Sequence, residues 1–256
     1  MATVNSEIKR IIKEKDAGIR SGTAAMRDII DTLRQQVQAA LGMAAAVSWD
    51  AYYLKKLLDS LEYQFDNFTV KAKKEAEGLV EDIWGMGQSL VDAPLKLVGI
   101  YSGFHISTSV LDVMKDYTNN YLEGLFGDAW TKVRGEISLG MMGAKTQQEV
   151  AAAIGKNLKD KSIFSSIAER AEVIIQTEMG RAFSRATQYR MYQAAQYVPD
   201  LEKQWIHAGH PKQPRPSHLA AHGQHVPVKD AFTVGGIEMM HPRDPAAPVS
   251  ETIRCG

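Results

Sequence analysis

The sequence predicts a mainly α protein, with long amphipathic helices followed by a small Pro/Gly/His-rich α+β module packed on the last helix. Three observations lead there. Only Pro94 interrupts the first 198 residues, whereas Pro199, Pro211, Pro214, Pro216, Pro227, Pro242, Pro245 and Pro248 crowd the remainder. Proline lacks a backbone N–H and clashes with the preceding helical turn, so long helices belong to the first part and not to the last. Apolar residues in the first part recur at helical spacing in blocks rich in Ala, Leu, Lys, Glu and Gln. The last part instead holds short β-compatible pieces between Pro- and Gly-rich turns.

Residues 5–42 read as one or two helices broken near Ser21-Gly22. From about Trp49 to Leu90, Tyr53, Leu57, Leu61, Phe65 and Phe68 share one stripe, giving an extended helix or hairpin that needs a partner surface. The pattern stops from Pro94 to Gly103 and resumes from about Ser107 to Ser138, carrying Leu111, Met114, Tyr121 and Trp130. Gly140-Met141-Met142-Gly143 is the next stop. Thr146-Gln147-Gln148-Glu149 then has the form of a capping box, in which Thr146 accepts from the first free N–H groups and Glu149 reaches back. A short helix, 146–158, follows. Ser162 caps a longer one, 162–197, with Ile163, Ile167, Ala171, Ile174 and Ala182 along its core face. The tail, 199–256, offers β pieces at Lys203–Ile206, His225–Val228 and Phe232–Met239, the last turning at Gly235-Gly236. So short a piece buries little core alone, which is why it is expected to pack on the preceding helix.

The chain has 256 residues, 45% of them apolar and 23% charged, with 30 Lys+Arg against 30 Asp+Glu. That balance excludes a dominant basic face for duplex nucleic acid and an acidic solvating tail. The single cysteine, Cys255, excludes an intramolecular disulfide framework or a multi-cysteine zinc module and points to a reducing compartment. The longest apolar run, Leu41 to Val47, is far short of the ~20 residues a membrane span needs. The first residues lack the apolar core of a signal peptide, so synthesis in the cytoplasm is expected.

His105 is the only early histidine, whereas His207, His210, His218, His222, His225 and His241 gather in the tail. On a helical turn His218 and His222 stand at i and i+4, a spacing at which two imidazoles share one zinc, with His225, His207, His210, His241 or Cys255 to complete the site. Leu219 occupies the place where a zincin carries its general-base glutamate. The other reading gives these histidines to hydrogen bonding in a loop-rich chain. Glu178, on the apolar side of its helix, either fastens the tail to that helix or makes an exposed i,i+3 pair with Arg181. Lys156 to Arg190 holds seven basic and four acidic residues, read as a solvated face or a weak phosphate contact. Trp49, Trp84 and Trp130 read as core or helix-interface packing. No phosphate-binding glycine loop, Gly-x-Ser-x-Gly elbow or Cys/His catalytic pair is present in the sequence.

An ordered series runs through the second half. It comprises Thr177-Glu178, Arg181-Ala182-Phe183-Ser184, Trp205, Arg215-Pro216-Ser217-His218, His222-Gly223-Gln224, Val226, Phe232, Gly235-Gly236, Pro242-Arg243-Asp244-Pro245 and Arg254-Cys255. This series resembles the phage Mu protein F-like head morphogenesis family over about residues 135–256. Residues 1–134 form a variable helical region outside the resemblance. The resemblance implies a minor head protein of a tailed bacteriophage, non-enzymatic, lying inside the virion at the capsid and portal. It implies a role in head assembly and DNA packaging and in genome ejection. Glu178, Arg181, Trp205, Arg215, His218, His222, Gly223, Asp244 and Cys255 are then structural signature positions. The portal protein, other capsid or scaffolding proteins, further copies of the chain and packaged DNA are the implied partners. Two departures stand out. His210-Pro211-Lys212 replaces an acidic residue frequent before Arg-x-x-His, and Arg254-Cys255 replaces Cys-Arg-Cys, so no two-cysteine metal or redox role carries over. The alternative function is a metal-dependent hydrolase or toxin-like domain using His218, His222 and a third ligand around zinc.

Overall fold

The computed structural model describes residues 3–47, 51–100, 108–207 and 215–253. Trp49, His105, His210, Arg254 and Cys255 lie outside the described residues. In chain order the elements are α1 (Val4–Val47), α2 (Ala51–Leu97), α3 (Thr108–Met141), α4 (Gln147–Ile154), α5 (Ile163–Ala194), β1 (Glu202–Gln204), α6 (Pro216–Ala220), β2 (His225–Pro227), β3 (Phe232–Val234), β4 (Ile237–Met239) and α7 (Val249–Thr252). The chain is mainly α, with its strands confined to the tail. Among the described residues no helix is long and apolar enough to cross a membrane.

Helix ends follow local chemistry. Thr146 accepts from the Glu149 N–H at 3.3 Å while the Glu149 carboxylate accepts from the Thr146 N–H at 2.7 Å, the reciprocal box that starts α4. Ser162 and Ser165 exchange equivalent bonds at the start of α5. α3 ends where Gly143 turns left-handed at φ 74°, with Ala144 N–H on the Leu139 carbonyl and Gly143 N–H on Gly140.

Two helices run on where the sequence predicts an interruption. α1 is continuous through Ser21-Gly22, because Gly22 is buried and costs a helix only ~1 kcal/mol, which the buried Met26, Ile29, Ile30 and Leu33 beyond it outweigh. α2 passes through Pro94 for one further turn to Leu97. That turn is closed by Gly99 at φ 83°, with Ile100 N–H on Leu95 and Gly99 N–H on Lys96, which compensates for the hydrogen bond that proline removes. α5 stops at Ala194 and gives way to turns before Tyr197.

Two compact units are present, one of residues 21–77 and 115–175, the other of 1–20, 78–114 and 176–256. Each draws from both sides of residue 134, so the division drawn there from the sequence does not separate compact units. In the first unit Leu33, Val37 and Leu41 of α1, Leu61 and Phe65 of α2, Leu122, Phe126 and Val133 of α3 and Phe164 of α5 are buried. Phe65 stacks at 5.4 Å from Trp130 and 6.2 Å from Phe164. Gln38 donates to the Ala151 and Gly155 carbonyls, Gln147 to Leu41, and Arg34 to Lys156, which satisfies carbonyls around α4.

In the second unit, Gly87 of α2 meets α5 so closely that an added Cβ would stand 2.5 Å from the Phe183 carbonyl oxygen. Thr187 donates to the Gly87 carbonyl at 3.0 Å, and Arg190 forks onto Asp92 at 2.6 and 2.8 Å. The tail forms two antiparallel ribbons, β1 with β2 and β3 with β4. Positive φ at both Gly235 and Gly236 makes the two-residue turn that joins β3 to β4. Trp205, Ala221, Phe232, Val234, Met239 and Ala247 make the tail's own apolar cluster.

Candidate functional site

Of the signature positions, Glu178 and Arg181 lie on α5 and Trp205, Arg215, His218, His222, Gly223 and Asp244 in the tail of the same compact unit, while Cys255 is outside the described residues. Glu178 is 3% exposed, and one Arg181 nitrogen donates to both its carboxylate oxygens, at 2.7 and 2.6 Å. The i,i+3 pair with Arg181 is present but buried rather than exposed. Burial pushes the Glu178 carboxyl above its ordinary range, against the opposing pull of Arg181 and Arg243. Arg181 also donates to the Arg243 carbonyl at 3.4 Å, which carries the helix pair into the tail. Arg243 itself is left-handed at φ 60°, and its guanidinium occupies the space a side chain at Gly180 would need. A side chain at Gly180 would force that guanidinium to move.

Asp244 shapes the turn that presents Arg243. Its carboxylate accepts from Met240 N–H at 2.7 Å and Ala246 N–H at 3.0 Å. Beside it, Lys203 points inward from β1, its ammonium bonded to the Met240 carbonyl at 2.8 Å and the Gln188 amide oxygen at 3.2 Å, 4.9 Å from the Phe232 ring. Burial pushes the Lys203 amine down to about 8, with Asp230 and Asp244 opposing. Gln188, on α5, gives its amide N–H to the Val228 carbonyl. Lys203, Gln188 and Arg243 fasten tail to helix as much as any signature residue does. No spacing rule singles them out, and an inward lysine on a short strand runs against the expected alternation.

The histidines engage different groups. His218 is buried, edge-on to Trp205 at 5.8 Å, with Nε2 3.0 Å from Glu251. Burial lowers its pKa, although Glu251 pulls the other way. His222 Nδ1 accepts from the His207 N–H at 3.0 Å. His225 is exposed and 3.8 Å from Glu202. His241 is buried, with Nδ1 on the Pro242 carbonyl, and burial lowers its pKa too. Among the described residues no group of three or more His, Cys, Asp or Glu side chains is placed to hold a metal ion. Arg215 donates to the Ile253 carbonyl at 2.7 Å. Gly223, left-handed at φ 84°, sends its N–H to Trp205, whose own N–H reaches the Gln224 carbonyl.

This arrangement is suited to holding a loop-rich tail in one conformation. The imidazole–carboxylate pair of His218 and Glu251 is an acid–base couple by type, yet Ser217 donates to Glu251 at 3.3 Å and not to the imidazole. Serine and imidazole thus share one carboxylate oxygen, which is not the serine–imidazole–carboxylate order of a catalytic triad.

No family model matches the chain, and neither a curated protein nor a solved structure matches it.

Proposed function

We propose that this chain is a minor structural protein of a tailed bacteriophage head, associated with the portal and acting in head assembly, DNA packaging and genome ejection. The observation that carries the reading is the ordered series from Thr177 to Asp244. Its members meet as a polar fastening in which Glu178 and Arg181 of α5 reach Arg243, and Asp244 holds the turn that presents it. Residues employed in holding tail and helix together suit a rigid attachment module. Helices of 44, 47 and 34 residues add large surfaces for neighbouring proteins. The place of action is the virion interior, after synthesis in the host cytoplasm. The test is co-purification with the portal ring of the same phage under assembly conditions. The chain is expected to sediment with the ring and with procapsids; a chain that binds neither would overturn the proposal. Contact with packaged DNA, if it contributes, must weaken steeply as salt is raised.

A further inference from the structure

The exposed face of α3 goes beyond the portal reading. Within the compact unit of 21–77 and 115–175, α3 is joined to α2 by Glu123 with Lys73 and Asn119 with Glu77, and to α5 by Asp128 with Arg170. Between those two seams lies a face directed to solvent. Its amino-terminal half carries Tyr117 and Tyr121, 40% and 45% exposed, stacked edge-on at 5.0 Å. Its carboxyl-terminal half borders an apolar groove of about 580 Å³ lined by Lys132, Gly135, Glu136, Leu139, Met142 and Ile163. Asp116 stands on the opposite flank from the tyrosines in the first half, and Arg134 on that same opposite flank in the second. Neither charge has an ion-pair partner among the described residues.

The spacing relates the two halves. Asp116 to Arg134 and Tyr117 to Gly135 are each eighteen residues apart, five full turns or about 27 Å, so each pair lies on one side of the helix. In two antiparallel helices packed face to face, like flanks meet. A second α3 laid antiparallel about Gly124 to Gly127 therefore brings Asp116 against Arg134 and the tyrosine pair against the groove, twice over. At the crossing, Gly124 and Gly127 have nothing within 4 Å of where a Cβ would be. No contact inside the chain calls for glycine there, although each costs the helix ~1 kcal/mol relative to alanine. A surface that complements itself under a two-fold rotation in both charge and shape is what an isologous dimer requires.

We propose that this face of α3 is the interface of a homodimer, in which the α3 helices of two copies pack antiparallel. Sedimentation equilibrium of the full chain tests it, with thermal melting by circular dichroism to show that each variant is folded. The wild type is expected to dimerise, and Gly127→Leu to be monomeric while melting no lower. Asp116→Arg and Arg134→Asp should each weaken the dimer about tenfold, and the double exchange Asp116→Arg/Arg134→Asp should restore it. A chain that stays monomeric up to about 100 µM, or a dimer indifferent to Gly127→Leu and to both reversals, would overturn the interface. A monomer that still sediments with the portal ring, and loses it on Gly127→Leu, assigns the face to the portal and also overturns the dimer. That outcome leaves the head-protein reading standing.

Discussion

Glu178 and Arg181 exclude each other's absence. Removing one charge from a buried pair strands the other, so Arg181→Met and Glu178→Met are each expected to cost roughly 3–5 kcal/mol in denaturant unfolding. The double replacement should cost less than their sum, because no lone charge remains. Additive losses would show the pair to be uncoupled. Buried His218, His241 and Lys203 each make stability depend on pH. His218 and His241 are held below 6.5 by burial, so the unfolded chain binds protons that the folded one refuses as pH falls through 6.5. Stability should therefore be lost on acidification from that point. The Lys203 amine, at about 8, lies below the ~10.4 of an unfolded lysine. Between those values the unfolded chain again binds more protons, so stability should rise with pH. Compared with the wild type, Lys203→Met should lose the alkaline rise and keep the acidic fall; an unchanged alkaline limb would mean that the ammonium is not paying a burial cost.

At the scale of the element, caps and close approaches decide the outcome. Thr146→Ala removes one side of a reciprocal box and should cost about 1 kcal/mol, detected as a lower unfolding midpoint and faster exchange of the α4 amides. Gly87→Ala drives a methyl into the Phe183 carbonyl oxygen and should cost about 1–3 kcal/mol as α2 is pushed off α5. An unchanged melting temperature would mean that these helices are not in contact there. The same features show what the sequence discloses. Capping at Thr146 and Ser162, the glycine stop at Gly143 and the Gly235-Gly236 turn are local, and each was legible in a few residues. Gly22 and Pro94 are local signals that packing overrides, because a buried neighbour or a good carboxyl-terminal cap outweighs a single lost contact. Helical spacing placed Ile174 on the inner face of its helix. In the structure Ile174 is only half-buried and Ile175 buried, since periodicity marks a stripe without fixing its rotation to one residue.

For the molecule as a whole, the change in proline and histidine usage near Val198 marked where long helices end and the tail begins. The two compact units were not legible, because both are assembled from segments far apart in sequence. The fastening of tail to α5 was legible at Glu178 and Arg181 and, through the ordered series, at Arg243 and Asp244. Lys203 and Gln188, which also hold it, have roles that come from tertiary placement. The central claim is that this fastening serves attachment within a phage head rather than chemistry on a substrate. Native mass spectrometry of the full chain, alone and mixed with the portal ring of the same phage, tests it most directly, since one spectrum gives both bound metal and assembly mass. The account predicts a metal-free chain that adds whole-chain masses to the ring. A chain that leaves the ring unchanged and carries one zinc, lost on replacing His218 and His222, would contradict it.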